Sequence, residues 1–94
     1  MAAVTTISLS QGAWTQLTAD DATKITFQNL SGPQILVKGS ASSTAPTDIG
    51  GAKRYEIGEG ENGKSLADMF PGITAVRVFA WTGRAGVIVS VDHD

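Results

Sequence analysis

The sequence contains no cysteine among its 94 residues and a single histidine, His93. Neither disulfide bonds nor thiolate metal sites can therefore stabilise it, and this composition fits a protein made in a reducing cytoplasm. Charged residues make up only 17% and the formal net charge is −2, so no basic face for nucleic acid is expected. No apolar stretch approaches a membrane span in length, and the first ten residues lack the regions of a signal peptide.

Residues of the types that carry out catalysis or bind metals also show few recognisable motifs. His93 lies between two aspartates, but neighbouring side chains of a strand point to opposite faces. A metal role is expected there only if a symmetric trimer brings three copies of His93 together. Residues 58–63, GEGENG, have the G-x-G-x-x-G spacing of dinucleotide-binding loops, but no βαβ unit fits around them. We therefore predict no catalytic residue, no cofactor and no metal site, and a protein that is not an enzyme.

Short β-branched or alternating segments dominate instead, separated by turns rich in Gly, Pro and Asp. Residues 65–70, SLADMF, predict one helical turn that Ser65 caps, with Asp68 three residues on. The pattern predicts one all-β domain over residues 1–94, a small β-sandwich or jelly-roll-like barrel of roughly six to eight short antiparallel strands with at most one helical turn. Residues 1–6 are predicted to form an extended arm. Strands are predicted at residues 4–9, 13–17, 23–30, 34–38 and 52–57, with 23–30 and 34–38 paired as a hairpin.

The last 21 residues, TAVRVFAWTGRAGVIVSVDHD, have two apolar runs on either side of Gly83 and Arg84. This pattern predicts a β-hairpin with a two-residue type II′ turn, or with a four-residue loop that keeps the same faces. One face of the predicted hairpin is small and β-branched, and it is expected to fill the core. Its members are Val76, Val78, Val87, Val89 and Val91.

The other face of the predicted hairpin carries Phe79, Trp81 and Ile88, edged by Arg77. An ordinary surface hairpin is apolar on one face only, so this second face needs a cover. Either a second subunit covers it, or it lines the inside of a closed barrel, and the sequence leaves both open. On the first interpretation these four residues form a protein interface.

Aromatic side chains offer a second interpretation of the same region. Trp14, Trp81, Phe79 and Tyr55 can form a sugar-binding platform, although packing in a core or an interface is the commoner role of such residues. Coplanar rings that face solvent favour sugar binding. Rings that are buried or face another subunit favour a structural role.

Three segments carry a resemblance over residues 23–94: ITFQNLSGPQILVKGSASSTAPTD, with its N-x-S-G turn, then YEIGEGENG, then VRVFAWTGRAGVIVSVDHD. In this order they resemble small accessory structural proteins of tailed-bacteriophage virions. The resemblance implies a β-sandwich or jelly roll without enzymatic activity, which decorates the capsid, forms the base of head fibres or belongs to the tail. It implies assembly with copies of itself, with a trimer favoured, docking on other virion proteins, and a location in the virion after synthesis in the host bacterial cytoplasm. The alternative is a carbohydrate- or host-surface-binding β-sandwich module.

Overall fold

The computed structural model of the chain describes residues 5–18, 21–42, 44–47, 49–50 and 52–93, except for the side chain of His93. Within these ranges the chain forms eight antiparallel strands and one helical turn, so the predicted all-β class is confirmed. The elements are β1 (Thr5–Ser8), β2 (Trp14–Gln16), β3 (Lys24–Asn29), β4 (Gln34–Ser40), β5 (Lys53–Glu56), β6 (Gly60–Ser65), α1 (Leu66–Met69), β7 (Arg77–Trp81) and β8 (Ile88–His93).

The strands form two four-stranded sheets that pack as a sandwich. Sheet I has the order β1-β8-β3-β6, and sheet II has the order β2-β7-β4-β5. The pairing is nested along the chain, because β1 pairs with β8, β2 with β7, β3 with β6 and β4 with β5. Eight strands in two sheets with this nested order form a jelly roll.

The predicted C-terminal hairpin is wrong as a pairing. β7 pairs with β2 and β4 in sheet II, whereas β8 pairs with β1 and β3 in sheet I. The six residues 82–87 carry the chain from one sheet to the other. Packed sheets lie about 10 Å apart, a distance that a two-residue turn cannot span. The predicted hairpin of residues 23–30 and 34–38 is wrong for the same reason, since β3 belongs to sheet I and β4 to sheet II.

The predicted core face of β7 and β8 is confirmed, although these two strands do not pair with each other. In a sandwich, alternate residues of both sheets point inward, so inward-facing residues meet across the core instead of along a ladder. Val78, Val87, Val89 and Val91 are at most 1% exposed, and Val76 is half-buried. The same core contains the ring pair of Phe27 and Tyr55, which meet edge to face with their centroids 4.9 Å apart.

Strand β6 was not predicted, because its glycines indicated an acidic turn. Gly60 lies so close to β3 that a Cβ at this position would overlap the carbonyl oxygen of Phe27. Only glycine permits this approach of two backbones. The turn itself is shorter than predicted and comprises residues 57–59, between β5 and β6.

The predicted helical turn of residues 65–70 is confirmed as α1. The Oγ of Ser65 accepts a hydrogen bond from the backbone N–H of Asp68 at 3.1 Å, which satisfies one of the free donors at the start of the helix. Its buried residues are Leu66 and Met69.

The predicted N-terminal arm overlaps strand β1. Thr5 and Thr6 pair with Val91 and Ser90 in sheet I, so these two residues belong to a strand. Residues 1–4 lie outside the described residues.

Candidate interaction surface

The N-x-S-G turn begins with a buried asparagine. Asn29 is fully buried, and its Nδ2 donates to the carbonyl oxygens of Gly32 (3.0 Å) and Tyr55 (3.3 Å). Its Oδ1 accepts from the N–H of Gly32 at 2.9 Å. A buried polar side chain is stable only when its hydrogen bonds are made. Asn29 therefore connects the β3–β4 crossing to strand β5 and has a structural role.

The serine of the same turn contacts the connection between β7 and β8. Ser31 Oγ accepts from the N–H of Ile88 at 2.9 Å and donates to the carbonyl oxygen of Gly86 at 3.1 Å. A Cβ on Gly32 would lie 2.7 Å from the side chain of Val87, so glycine is required for this packing. The β3–β4 and β7–β8 connections thus meet at one end of the sandwich, where these contacts position both of them.

Among the grooves lined by described residues are two shallow ones, and neither brings together a catalytic set of side chains. The first, about 320 Å³, includes Gly58, Gly60 and Glu61 in its lining. The second, about 340 Å³, has Phe70 and Ile73 in its lining together with Lys38 and Lys53. In the part of the chain that the structure describes, no three His, Cys, Asp or Glu residues are grouped so as to hold a metal ion. Nor do the described residues include a helix long and apolar enough to cross a membrane.

The Glu61 carboxylate of the first groove is engaged by a tyrosine. Tyr55 Oη donates to Glu61 Oε2 at 2.8 Å. Burial of the phenol, followed in size by its hydrogen bond to Glu61, raises the pKa of Tyr55 well above its ordinary value. The phenol therefore stays protonated and serves as a hydrogen-bond donor at the edge of the core.

The outer face of sheet II carries an apolar row, which consists of Trp14, Trp81 and Leu36. Trp14 and Leu36 are both in register with Trp81, on either side of it, and Arg54 of β5 is in register with Leu36 at the end of the row. The three apolar side chains are half-buried, and none belongs to the core cluster. Since neighbouring strands lie about 4.8 Å apart, the row and Arg54 together span roughly 14 Å across all four strands.

A second row on this face lies beside the first. Phe79 is in register with Gln16 on one side and Lys38 on the other. It is only 3% exposed although it lies outside the core cluster. The stems of these two long side chains are in position to cover its ring. Phe79 therefore supports the apolar row from the same face, while Trp81 is left accessible.

Arg77 completes this face and is held by an acidic neighbour. Its Nε lies 2.8 Å from Asp21 Oδ1, and the arginine side chain is 19% exposed whereas that of Asp21 is 72% exposed. An ion pair this close to solvent contributes little to stability. The ion pair with Asp21 instead orients the guanidinium of Arg77.

The predicted interface residues are therefore only partly brought together. Phe79, Trp81 and Arg77 share the outer face of sheet II, whereas Ile88 lies on the outer face of sheet I, in register with Ser8. Trp81 is on the outside of the sandwich, so the alternative that this face lines a closed barrel does not apply.

Sequence reasoning missed Leu36 and Arg54 as neighbours of Trp81. The signal for Leu36 was the uninterrupted apolar run of residues 35–37. A strand that is apolar on both faces needs to be covered on both sides. No comparable signal marks Arg54, whose position depends on which strand lies beside β4.

A scan against protein-family models, a search of the curated proteins and a search of the solved structures each found no match for this chain.

Proposed function

We propose that the protein is a non-enzymatic structural component of a bacteriophage virion, which self-associates and docks on other virion proteins through the outer face of sheet II. The single observation that carries the proposal is the half-exposed apolar row of Trp14, Trp81 and Leu36. Capsid decoration, the base of a head fibre and a tail component all fit this role. The virion is its proposed location, and a trimer is the favoured assembly.

The strand order supports the proposal in a general way. Jelly rolls are the fold of many viral capsid domains, and lectins and cupins share it. The nested order of β1 to β8 is therefore compatible with a capsid-associated role, and it requires no particular chemistry.

The composition of the row supports an interface more specifically. Protein interfaces have apolar cores enriched in Trp, Tyr, Phe, Met and Arg, and rims that are polar. Here two tryptophans and a leucine are bordered by Arg54, and Gln16 and Lys38 border the adjacent Phe79. A flat sheet face with this arrangement suits a second protein surface.

Sedimentation velocity of the purified chain at micromolar concentration tests self-association. We expect an oligomer, and we expect Trp81→Ser to weaken association by about 50-fold because a central tryptophan is a typical hot spot. Ile88→Ser is the matched control, since it removes an apolar side chain from the outer face of sheet I. A monomeric wild-type chain in which iodide quenches Trp81 freely would contradict the proposal. Mass spectrometry and imaging of intact virions test its location.

Glycan binding is the second candidate, and one observation favours it. Trp14 and Trp81 are direct neighbours across β2 and β7, and both are partly exposed on a fold that lectins also use. Titration with oligosaccharides, followed by tryptophan fluorescence, separates the two candidates. Saturable binding that Trp14→Ala and Trp81→Ala abolish, without any change in sedimentation, would favour the glycan role over assembly.

A further inference from the structure

We propose that the second groove, which is lined in part by Lys53, Phe70, Pro71 and Ile73, binds a small aliphatic carboxylate. The alkyl chain of the ligand lies against Phe70 and Ile73, and its carboxylate pairs with the ammonium of Lys53. This end groove is a small-molecule site in addition to the proposed docking surface, and its occupation does not require self-association.

The end groove lies between two strands of sheet II and the connection from α1 to β7. Gly39 is near the end of β4 and Lys53 begins β5, whereas residues 70–73 belong to the connection. The N–H of Val76 donates to the carbonyl oxygen of Ser40 at 2.9 Å, which holds the connection beside β4. Since β4 begins just after the N-x-S-G turn, the groove is at the opposite end of the sandwich.

An aromatic ring in the end groove is positioned by a glycine. A Cβ on Gly39 would lie 2.5 Å from Cδ2 of Phe70, so the ring can hold this position only because residue 39 is glycine. Phe70 is half-buried and packs against the core. The part of the ring that the core leaves uncovered is therefore available to a ligand in the groove.

Ile73 adds an exposed apolar side chain to the same groove. It is 51% exposed, and it lines the groove together with Phe70 and Pro71. A single exposed isoleucine is common on protein surfaces, but small-molecule sites are concave and mostly apolar, with few polar groups. The volume of about 340 Å³ is near the lower end of the range for such sites, so the ligand is small.

Lys53 gives the end groove its preference for an anion. It is in register with the fully buried Val37, so it lies on the inner face of sheet II, and it is exposed because β5 is an edge strand. Its ammonium makes no ion pair with another described residue, and no described acidic side chain lines the groove. Lys38 also lines the groove but already has an interaction partner.

One available ammonium beside apolar side chains defines the class of ligand. A single carboxylate matches a single cation, whereas polyphosphates and nucleic acids are bound by several cations. The stem of a lysine lies readily along apolar surface and keeps its charged end accessible. An alkyl chain that ends in a carboxylate therefore fits both parts of the groove.

Amide NMR titration of the full chain with octanoate tests the proposal. We expect saturable shifts at Gly39, Lys53 and Ile73, with a dissociation constant on the order of 1 mM, as suits a small ligand in a shallow site. Octanol, which has the same chain length without the charge, should bind about fivefold more weakly. Absence of saturable shifts at these residues overturns the proposal, and octanol that binds as tightly as octanoate overturns the role of Lys53.

Two substitutions separate the charge from the apolar surface. Lys53→Met keeps an unbranched side chain, and it should weaken octanoate binding about fivefold while octanol binding stays within about twofold. Lys64→Met is the matched control, since Lys64 is exposed on the edge strand of sheet I, in register with the buried Ile25 and outside the groove. A Lys53→Met chain that binds octanoate like this control overturns the proposed contact.

Ile73→Ser should weaken the binding of octanoate and octanol alike by about fivefold, because both ligands cover the same side chain. Its matched control is Ile57→Ser, which removes an isoleucine that is 60% exposed and does not line the groove. Trp81→Ser should bind octanoate like the wild-type chain even if it no longer associates. Octanoate binding that Trp81→Ser abolishes and Ile73→Ser leaves intact would place the ligand on the apolar row and overturn the proposal.

Discussion

The two sheets have similar inner faces and very different outer faces. A central row on the outside of sheet I consists of Thr6, Ser90 and Gln28, which are in register across three strands. The corresponding row on sheet II consists of Trp14, Trp81 and Leu36. Both sheets contribute to the same core. Sheet I thus shows that the central row on the outer face of a sheet in this sandwich can be polar, whereas that of sheet II is apolar.

The two faces also differ in how deeply their apolar residues are covered. Phe79 on sheet II is 3% exposed, whereas Ile88 on sheet I is half-buried at the end of its strand. Part of the sheet II face therefore stabilises the fold, and the rest is free to make contacts. Substitutions on the two faces separate these contributions.

The largest effect is expected from Phe79→Ala. Loss of a nearly buried ring should lower the free energy of unfolding by about 3 to 4 kcal/mol, whereas Ile88→Ala should lower it by about 1 kcal/mol. Urea denaturation at one fixed, low protein concentration measures both, since association adds to apparent stability. Equal losses of stability for the two variants would show that Phe79 is no more important to the fold than Ile88. The two outer faces would then differ only in the contacts that they offer to other molecules.

A smaller effect is expected at the inner edge of sheet II. Tyr55→Phe removes the hydrogen bond to Glu61 and should lower stability by about 1 to 2 kcal/mol at pH 7, without changing sedimentation. The pKa of Tyr55 is raised in the folded protein, so its stabilisation is complete below the ordinary tyrosine value near 10. It is then lost as the pH rises from about 10 towards the raised pKa, by up to about 1.4 kcal/mol per pH unit.

The control for that prediction is the variant itself, measured over the same pH range. All other ionisable groups are the same in both chains, so the difference between their unfolding curves isolates Tyr55. The wild-type curve should fall more steeply above pH 10 than that of Tyr55→Phe. Parallel curves would mean that the folded protein does not hold the phenol proton more tightly than the unfolded chain.

The smallest effect is expected on the outer face of sheet I. Ser90→Lys, between Thr6 and Gln28, should change the free energy of unfolding by no more than about 0.5 kcal/mol and leave sedimentation unchanged. Circular dichroism melts and sedimentation velocity check the two halves of this prediction. A loss of self-association in this variant would make sheet I an interface as well, and the comparison between the two faces would fail.

Much of the fold could be predicted from local patterns. The alternation of Val87, Val89 and Val91 predicts which side of a strand faces the core, and all three are buried. Ser65 and Asp68 predict the start of α1, because a cap is formed by residues three positions apart. Both are short-range effects, so a single stretch of sequence contains them.

The candidate site could be predicted only in part. Trp81 and Phe79 stand out as apolar residues on a second strand face, but Ile88 was placed with them because a hairpin was assumed. Strand β6 escaped prediction because Gly60 was taken for a turn residue, whereas it permits close approach to β3. A glycine that serves turn geometry and one that serves packing look alike in sequence.

The sequence by itself determined that Val78, Val89 and Val91 face inward, that Ser65 caps α1 and that the strand with Phe79 and Trp81 is apolar on both faces. Only the tertiary structure decided which strands are neighbours. The physical reason is that side-chain alternation is a property of one strand, whereas pairing joins distant segments, as when Thr5 pairs with Val91. That pairing takes Ile88 to sheet I, places Trp14, Trp81 and Leu36 side by side on sheet II, and turns an expected hairpin face into a surface that spans four strands.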